Sequence, residues 1–190
     1  MRRPNASRRR RIPAILCTFL WGIVGCMPGA AGEWANEYQL KAAFVYKMMF
    51  FVEWPAGALG ARVVVGFAGE GAMGKALTDS IQGKKLGAIP IEVRTVRTEA
   101  EIRDCNVLVI AYPDASRTRE ALSFVRNASV LTIGDGEGFA RMGGGMALVP
   151  YQNTFQLAVN ARAVDRARLK VSAKLLSLAK MVPEEEFAVR

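Results

Sequence analysis

The chain has 190 residues, of which 51% are hydrophobic and 23% charged, which suits one globular domain and excludes a disordered chain. Its formal net charge of +9 is no nucleic-acid footprint. Arg2, Arg3, Arg8, Arg9, Arg10 and Arg11 lie in the first 32 residues, which hold no acid, and removing those six from 26 basic residues leaves 20 against 17 acidic. The absence of histidine removes the usual general base near neutral pH and the commonest transition-metal ligand.

Arginines 8 to 11 precede an apolar stretch from Ile12 to Met27, and Gly29, Ala30, Ala31 and Gly32 follow it. This is the layout of a secretory signal, and the stretch is too short and too broken by Pro13 and Pro28 for a permanent membrane span. Two processing modes stay open. Residues 1–32 form a cleaved signal peptide, or residues 1–25 form a lipoprotein signal, with Ile23-Val24-Gly25-Cys26 as its lipobox and Cys26 as the lipidated thiol. Either way residues 33–190 form a single exported α/β domain facing the periplasm.

Leu40, Phe44, Met48 and Phe51 recur at helical spacing and predict a helix from Glu37 to Trp54, stopped by Pro55 and Gly57. Its aromatics Phe44, Tyr46, Phe50, Phe51 and Trp54 are mostly core, with one side available to another chain. The run Arg62 to Ala68 is too continuously apolar to be half exposed and reads as a central strand. A glycine-rich turn and a helix at Lys75 to Ile81 follow. The pattern repeats as strand Ile91 to Val96, helix Glu99 to Asp104, strand Val107 to Tyr112, helix Arg117 to Arg126 and strand Val130 to Ile133. Such alternation implies a largely parallel sheet covered by helices. Met146 to Tyr151 and Thr154 to Asn160, separated by Gln152-Asn153, read as an antiparallel hairpin at a sheet edge. The last expected element is a helix, Leu169 to Val182, burying Val171, Leu175, Leu178 and Val182 and turning Lys170, Lys174 and Lys180 largely outward.

Gly69-Glu70-Gly71-Ala72-Met73-Gly74-Lys75 satisfies G-x-G-x-x-G after a strand and before a helix, and nearly satisfies a P-loop. The P-loop needs Ser or Thr after its lysine to hold magnesium, and Ala76 stands there. The acid wanted for a ribose would be Glu92, at the wrong end of its strand. A strand-to-helix turn using glycine for backbone freedom is the better reading, so no cofactor is assigned. Ser177-Leu178-Ala179-Lys180 matches S-x-x-K inside the last expected helix without an accompanying K-T-G strand, and is a chance match. The glycines Gly143, Gly144 and Gly145 precede a strand and lack a helix dipole for phosphate; close packing or a bulge explains them. With the leader removed Cys105 is the only thiol. It is either a small core residue or an intermolecular or redox-sensitive thiol. No catalytic constellation emerges. A ligand-binding alternative needs a crevice at the strand ends, near Gly69 to Gly74 and Asp114 to Thr118.

Taken together, Glu37-Tyr38-Gln39-Leu40-Lys41-Ala42-Ala43-Phe44 running to Phe51-Val52-Glu53-Trp54-Pro55, Cys105-Asn106-Val107-Leu108-Val109-Ile110, Gly138-Phe139-Ala140-Arg141-Met142-Gly143-Gly144, Val159-Asn160 and Val171-Ser172-Ala173-Lys174-Leu175 to Ala179 resemble the YfiR family. The positions that carry the resemblance are Lys41, Phe44, Trp54, Pro55, Gly138, Phe139, Gly143, Gly144, Asn160, Ser172 and Leu175. The resemblance implies a three-layer α/β/α sandwich, mostly parallel with an antiparallel edge hairpin, and a regulator of cyclic di-GMP signalling and biofilm formation rather than an enzyme. As partners it implies the periplasmic domain of a membrane diguanylate cyclase or sensor kinase, an outer-membrane lipoprotein that releases it, and a second copy in a homodimer. An envelope protein that binds a small molecule is the alternative. In one respect the chain departs from the family's best-known member, which uses disulfides and thiol oxidation: Cys105 matches one family cysteine and has no partner left.

Overall fold

The computed structural model describes residues 30–152 and 154–185. The leader and the lipidation candidate Cys26 lie outside the described residues. The elements in chain order are α1 (Ala30–Met49), β1 (Val52–Glu53), β2 (Val63–Gly69), α2 (Ala72–Ile81), β3 (Lys85–Leu86), β4 (Ile89–Thr95), α3 (Glu99–Arg103) and β5 (Val107–Ala111), then α4 (Ala115–Phe124), β6 (Leu131–Asp135), α5 (Gly136–Arg141), β7 (Met146–Tyr151), β8 (Thr154–Val159), α6 (Ala161–Arg166), β9 (Lys170–Val171), α7 (Ala173–Leu176) and β10 (Lys180–Met181).

The described strands form one large sheet in the order β10-β8-β7-β6-β5-β2-β4-β3 and a two-stranded pair β1-β9. The neighbours β4, β2, β5, β6 and β7 run parallel, while β7-β8 is an antiparallel hairpin. Period-two alternation sends Val63, Val65 and Phe67 to one face and Val64 and Ala68 to the other, so β2 is buried on both. The first face packs on Val45, Met48 and Met49 of α1 and Met73, Leu77 and Ile81 of α2. The second packs on Ile102 of α3, Ala121 and Leu122 of α4 and Phe139 of α5. Burying each of the Val, Leu, Ile, Met and Phe side chains among them stabilises the fold by about 1.5–3 kcal/mol. The result is the expected three-layer α/β/α sandwich with a mostly parallel sheet.

Local chemistry sets several boundaries. Thr98 and Glu101 form a reciprocal capping box that starts α3, and Asp114 caps α4 through the Ser116 amide at 2.9 Å. The first helix ends at Met49, not Trp54. The Phe50 and Phe51 amides close back on the Lys47 and Met48 carbonyls, and Val52 then pairs with Val171 across β1-β9. No helix among the described residues is long and apolar enough to cross a membrane.

The expected helix Leu169 to Val182 is a correction. Only Ala173–Leu176 is helical, and Leu178, expected inside, is 71% exposed. The flanking residues instead satisfy two strand edges: Lys170–Val171 pairs with β1, and Lys180–Met181 pairs parallel with β8. Unpaired backbone at those edges outweighs a modest helical preference. For the same reason the β7-β8 hairpin is not itself the border, because β10 covers its outer strand.

Candidate functional site

Strand order reverses at β2. The chain leaves β2 for β4 on one side and returns through β5 on the other, so no crossover covers the gap at the carboxyl ends of β2 and β5. A crevice of about 400 Å³ opens there and extends to the end of β6. This is where the two segments Gly69 to Gly74 and Asp114 to Thr118 meet. Glu70 reaches across to Arg117 at 2.8 Å, and the Arg117 guanidinium lies 4.1 Å from the centroid of the Tyr112 ring.

Two glycines of the Gly69-x-Gly71-x-x-Gly74 turn have a packing reason and the third a conformational one. A Cβ on Gly69 would meet the Ala111 carbonyl oxygen at 2.7 Å, and one on Gly74 would meet the Phe67 ring at 2.7 Å. Gly71 has φ +89°, which favours glycine. Glu92 pairs with Arg62 at 3.0 Å near the opposite end of the sheet, away from any ribose a ligand here would present. Ser177 Oγ donates to the Lys174 carbonyl while Lys180 pairs with Glu137, so the S-x-x-K match forms no dyad.

Behind the crevice stands Lys41, only 7% exposed. Its ammonium donates to Asp135 Oδ2 at 2.8 Å and pairs with Glu37 at 2.9 Å, and the Phe155 ring centroid lies 5.3 Å away. Burial acts to lower its pKa, but the hydrogen bonds to Asp135 and Glu37 and their charges outweigh it, and the pKa is raised. Lys41 therefore fastens α1 to the end of β6. Lys41→Met is expected to cost about 1–2 kcal/mol at pH 7, since both carboxylates keep access to water. A raised folded pKa means that the contribution is complete below the ordinary value of 10.5 and is lost as pH rises through the folded value. Urea titrations of both proteins should show the gap narrowing in that alkaline range; a gap independent of pH contradicts the assignment.

The other positions that carry the resemblance do not converge on one pocket. Phe44 packs edge-to-face on Phe155 at 6.2 Å. Trp54 Nε1 donates to the Asn106 carbonyl at 3.3 Å, and Pro55 lines a groove beside Asn106. Asn106, not singled out from sequence, accepts from the Val64 amide at 2.9 Å and donates to the Ala58 carbonyl at 3.0 Å, so it binds the loop after Trp54-Pro55 to the sheet. Phe139 is flanked by Gly134 and Gly144, where a Cβ at either would collide with the ring. Gly143 has φ +101°, whereas Gly138 faces open space. Asn160, 1% exposed, donates to the Ala140 carbonyl at 2.7 Å and caps α6 through the Ala163 amide at 3.0 Å. Ser172 caps α7 by accepting from the Leu175 amide at 3.3 Å, and Leu175 rests against the first core.

Cys105 is 3% exposed, and its thiol faces bare backbone at Gly66, where a Cβ would collide with Sγ. Burial pushes the thiol up to about 11, against the opposing pull of the Arg94 guanidinium. A side chain placed this way remains a thiol at neutral pH and offers no exposed sulfur to a second chain, which favours the small core residue over the redox-sensitive alternative. Labelling by a disulfide reagent at pH 8 is expected to run at least about a hundredfold slower in the folded than in the unfolded protein. Equal rates would restore a reactive thiol. Because the folded pKa exceeds the unfolded value of 9.0, unfolding is favoured increasingly between pH 9 and about 11.

A family model for YfiR/HmsC-like proteins matches residues 38–180, from the second residue of the Glu37-Tyr38 motif to β10. The chain belongs to the YfiR/HmsC-like family. No curated protein matches it. Two solved structures are similar to this YfiR/HmsC-like chain. One is an ABC domain from Streptococcus pneumonia in complex with L-Trp, with TM-score 0.51, 10% identity and 77% of this chain covered. The other is a conserved domain protein from Vibrio cholerae O1 biovar El Tor, with TM-score 0.52, 11% identity and 76% covered. This chain spans 60% of the length of each, and at such identities the likeness is one of fold alone.

Proposed function

We propose that the protein is an exported periplasmic regulator that represses a membrane-bound diguanylate cyclase by binding its periplasmic domain. The observation that carries this reading is the family match over residues 38–180, since YfiR/HmsC-like proteins are periplasmic regulators of diguanylate cyclases. The same reading takes residues 1–32 as the export signal, or 1–25 with lipid on Cys26, and residues 33–190 as the regulatory domain. Release by an outer-membrane lipoprotein and action as a homodimer belong to it as well.

The chemistry of the site agrees with binding. Lys41 pairs with both Glu37 and Asp135, and Glu70 pairs with Arg117, an arrangement that fixes shape. Repression by a bound protein is a population shift, so the inactive cyclase must be bound more tightly than the active one. At saturation a hundredfold preference, about 2.7 kcal/mol, would turn an evenly populated cyclase into one about 99% inactive.

The test is genetic. Deleting the gene should raise cellular cyclic di-GMP, and deleting the membrane cyclase as well should abolish that rise. An unchanged level in the single deletion, or a rise that persists without the cyclase, overturns the proposal.

A further inference from the structure

We infer that the outward face of α1, with β3 on one side of it and α7 on the other, is a docking surface for a membrane of anionic lipid. This goes beyond the regulatory reading and does not depend on which protein the chain binds. The contact is peripheral: the face rests on the bilayer and no element crosses it.

Residues 38–52, 80–91 and 166–183 contain no Asp or Glu, and the fold brings these three segments together. On one side of α1 the Tyr46 hydroxyl donates to the Lys85 carbonyl at 3.1 Å, and the Lys84 ammonium lies 4.8 Å from the centroid of the Tyr46 ring. On the other the Ser172 amide donates to the Phe51 carbonyl at 2.8 Å, which sets the start of α7 against the end of α1. Both helices turn the same way. Val45, Met48 and Met49 of α1 face the first core, as do Leu175, Leu176 and Ala179 in and after α7, so exposed Lys47 and Phe50, like Lys174 and Leu178, face out of that layer.

Lys47, Lys84, Lys85 and Lys174 are exposed and form no ion pair among the described residues, whereas Lys41, Lys75 and Lys180 each hold a carboxylate. Lys170 sits opposite Glu53 across the β1-β9 pair and adds no net charge. Between the uncompensated lysines stands Phe50, 51% exposed and packed edge-on against Tyr46 at 5.1 Å. Lipid phosphates suit this pattern better than an acidic protein does. The unpaired cations of the face are lysines, point charges on long stems that can each follow a separate phosphate. Phe50 and Leu178 stand singly on separate elements, and single apolar side chains enter a lipid interface without a matching pocket.

The test is co-flotation of the purified protein, processed and without lipid on Cys26, with vesicles of phosphatidylcholine alone or mixed with phosphatidylglycerol. The protein is expected to float with the mixed vesicles only, and to be released by about 0.5 M salt. Each lysine near an anionic surface contributes roughly fivefold in affinity, so Lys47→Gln, Lys85→Gln and Lys174→Gln together should weaken binding about a hundredfold. Phe50→Ser should weaken it at least about fivefold. Circular dichroism of both variants should stay that of the parent. No flotation with the anionic vesicles, equal flotation with the neutral ones, or unchanged flotation of either folded variant overturns the inference. Binding of a polyglutamate peptide in place of the vesicles would assign the face to an acidic protein and overturn it as well.

Discussion

Gly144→Ala is expected to lower the unfolding free energy by about 3 kcal/mol or more, because the added methyl would occupy space held by the Phe139 ring. Phe139 is 3% exposed and wedged between Gly134 and Gly144, so the ring cannot swing to solvent without opening the second core. Phe139→Leu in the Gly144→Ala background should recover part of the loss, which a double-mutant cycle measures as coupling. Gly138→Ala, three residues into the same short helix, meets nothing within 4 Å and should be neutral or stabilising by up to about 1 kcal/mol. Denaturation midpoints that rank the two glycines equally would contradict this explanation of the Gly138-Phe139 to Gly143-Gly144 motif.

Asn160→Leu should cost about 2–4 kcal/mol, the sum of a lost helix cap and a buried carbonyl left without a donor. Its amide joins three elements: Oδ1 accepts from the Ala163 amide at the start of α6, and Nδ2 donates to the Ala140 carbonyl at the end of α5 and to Glu184 at 3.3 Å. Asn160→Asp is expected to give no rescue at neutral pH. It keeps the cap acceptor but sets a second carboxylate against Glu184 and turns an acceptor toward the Ala140 carbonyl. Equal stability of the Asp variant and the parent in urea would show that the donor half of the amide is dispensable.

Both predictions concern contacts whose partners the sequence does not name: close packing is expected at Gly143 to Gly145, but neither the Phe139 ring nor the Ala140 carbonyl under Asn160 is marked by any local pattern. The alternation of strands and helices from Val63 to Leu131 was legible because each segment carries its own period and its own stops. The crevice was legible too: once the sheet is parallel, the turns at Gly69 to Gly74 and Asp114 to Thr118 must lie at strand ends. The pairing of Lys41 with Asp135 spans 94 residues and leaves no local signal. Neither does the ring of Phe139 between two glycines, nor the amide of Asn106 that holds the Trp54-Pro55 loop. At the C-terminus the spacing of Val171, Leu175, Leu178 and Val182 is helical. Two open strand edges claimed the residues on either side of Ala173–Leu176, and periodicity cannot report an edge elsewhere in the chain. The two short helices α5 and α6 were missed for a different reason. The first contains Gly136 and Gly138, poor helix formers, and the second is announced only by Asn160 as its cap.

Repression, as proposed, requires direct contact between this protein and a cyclase's periplasmic domain. Calorimetric titration of the purified protein against the purified periplasmic domain of the membrane diguanylate cyclase tests it most directly. Saturable binding of fixed stoichiometry is predicted, with tighter affinity for the full-length cyclase held inactive than for an activated variant. Absence of binding between two well-folded partners, or equal affinity for the inactive and active forms, would contradict repression by direct binding.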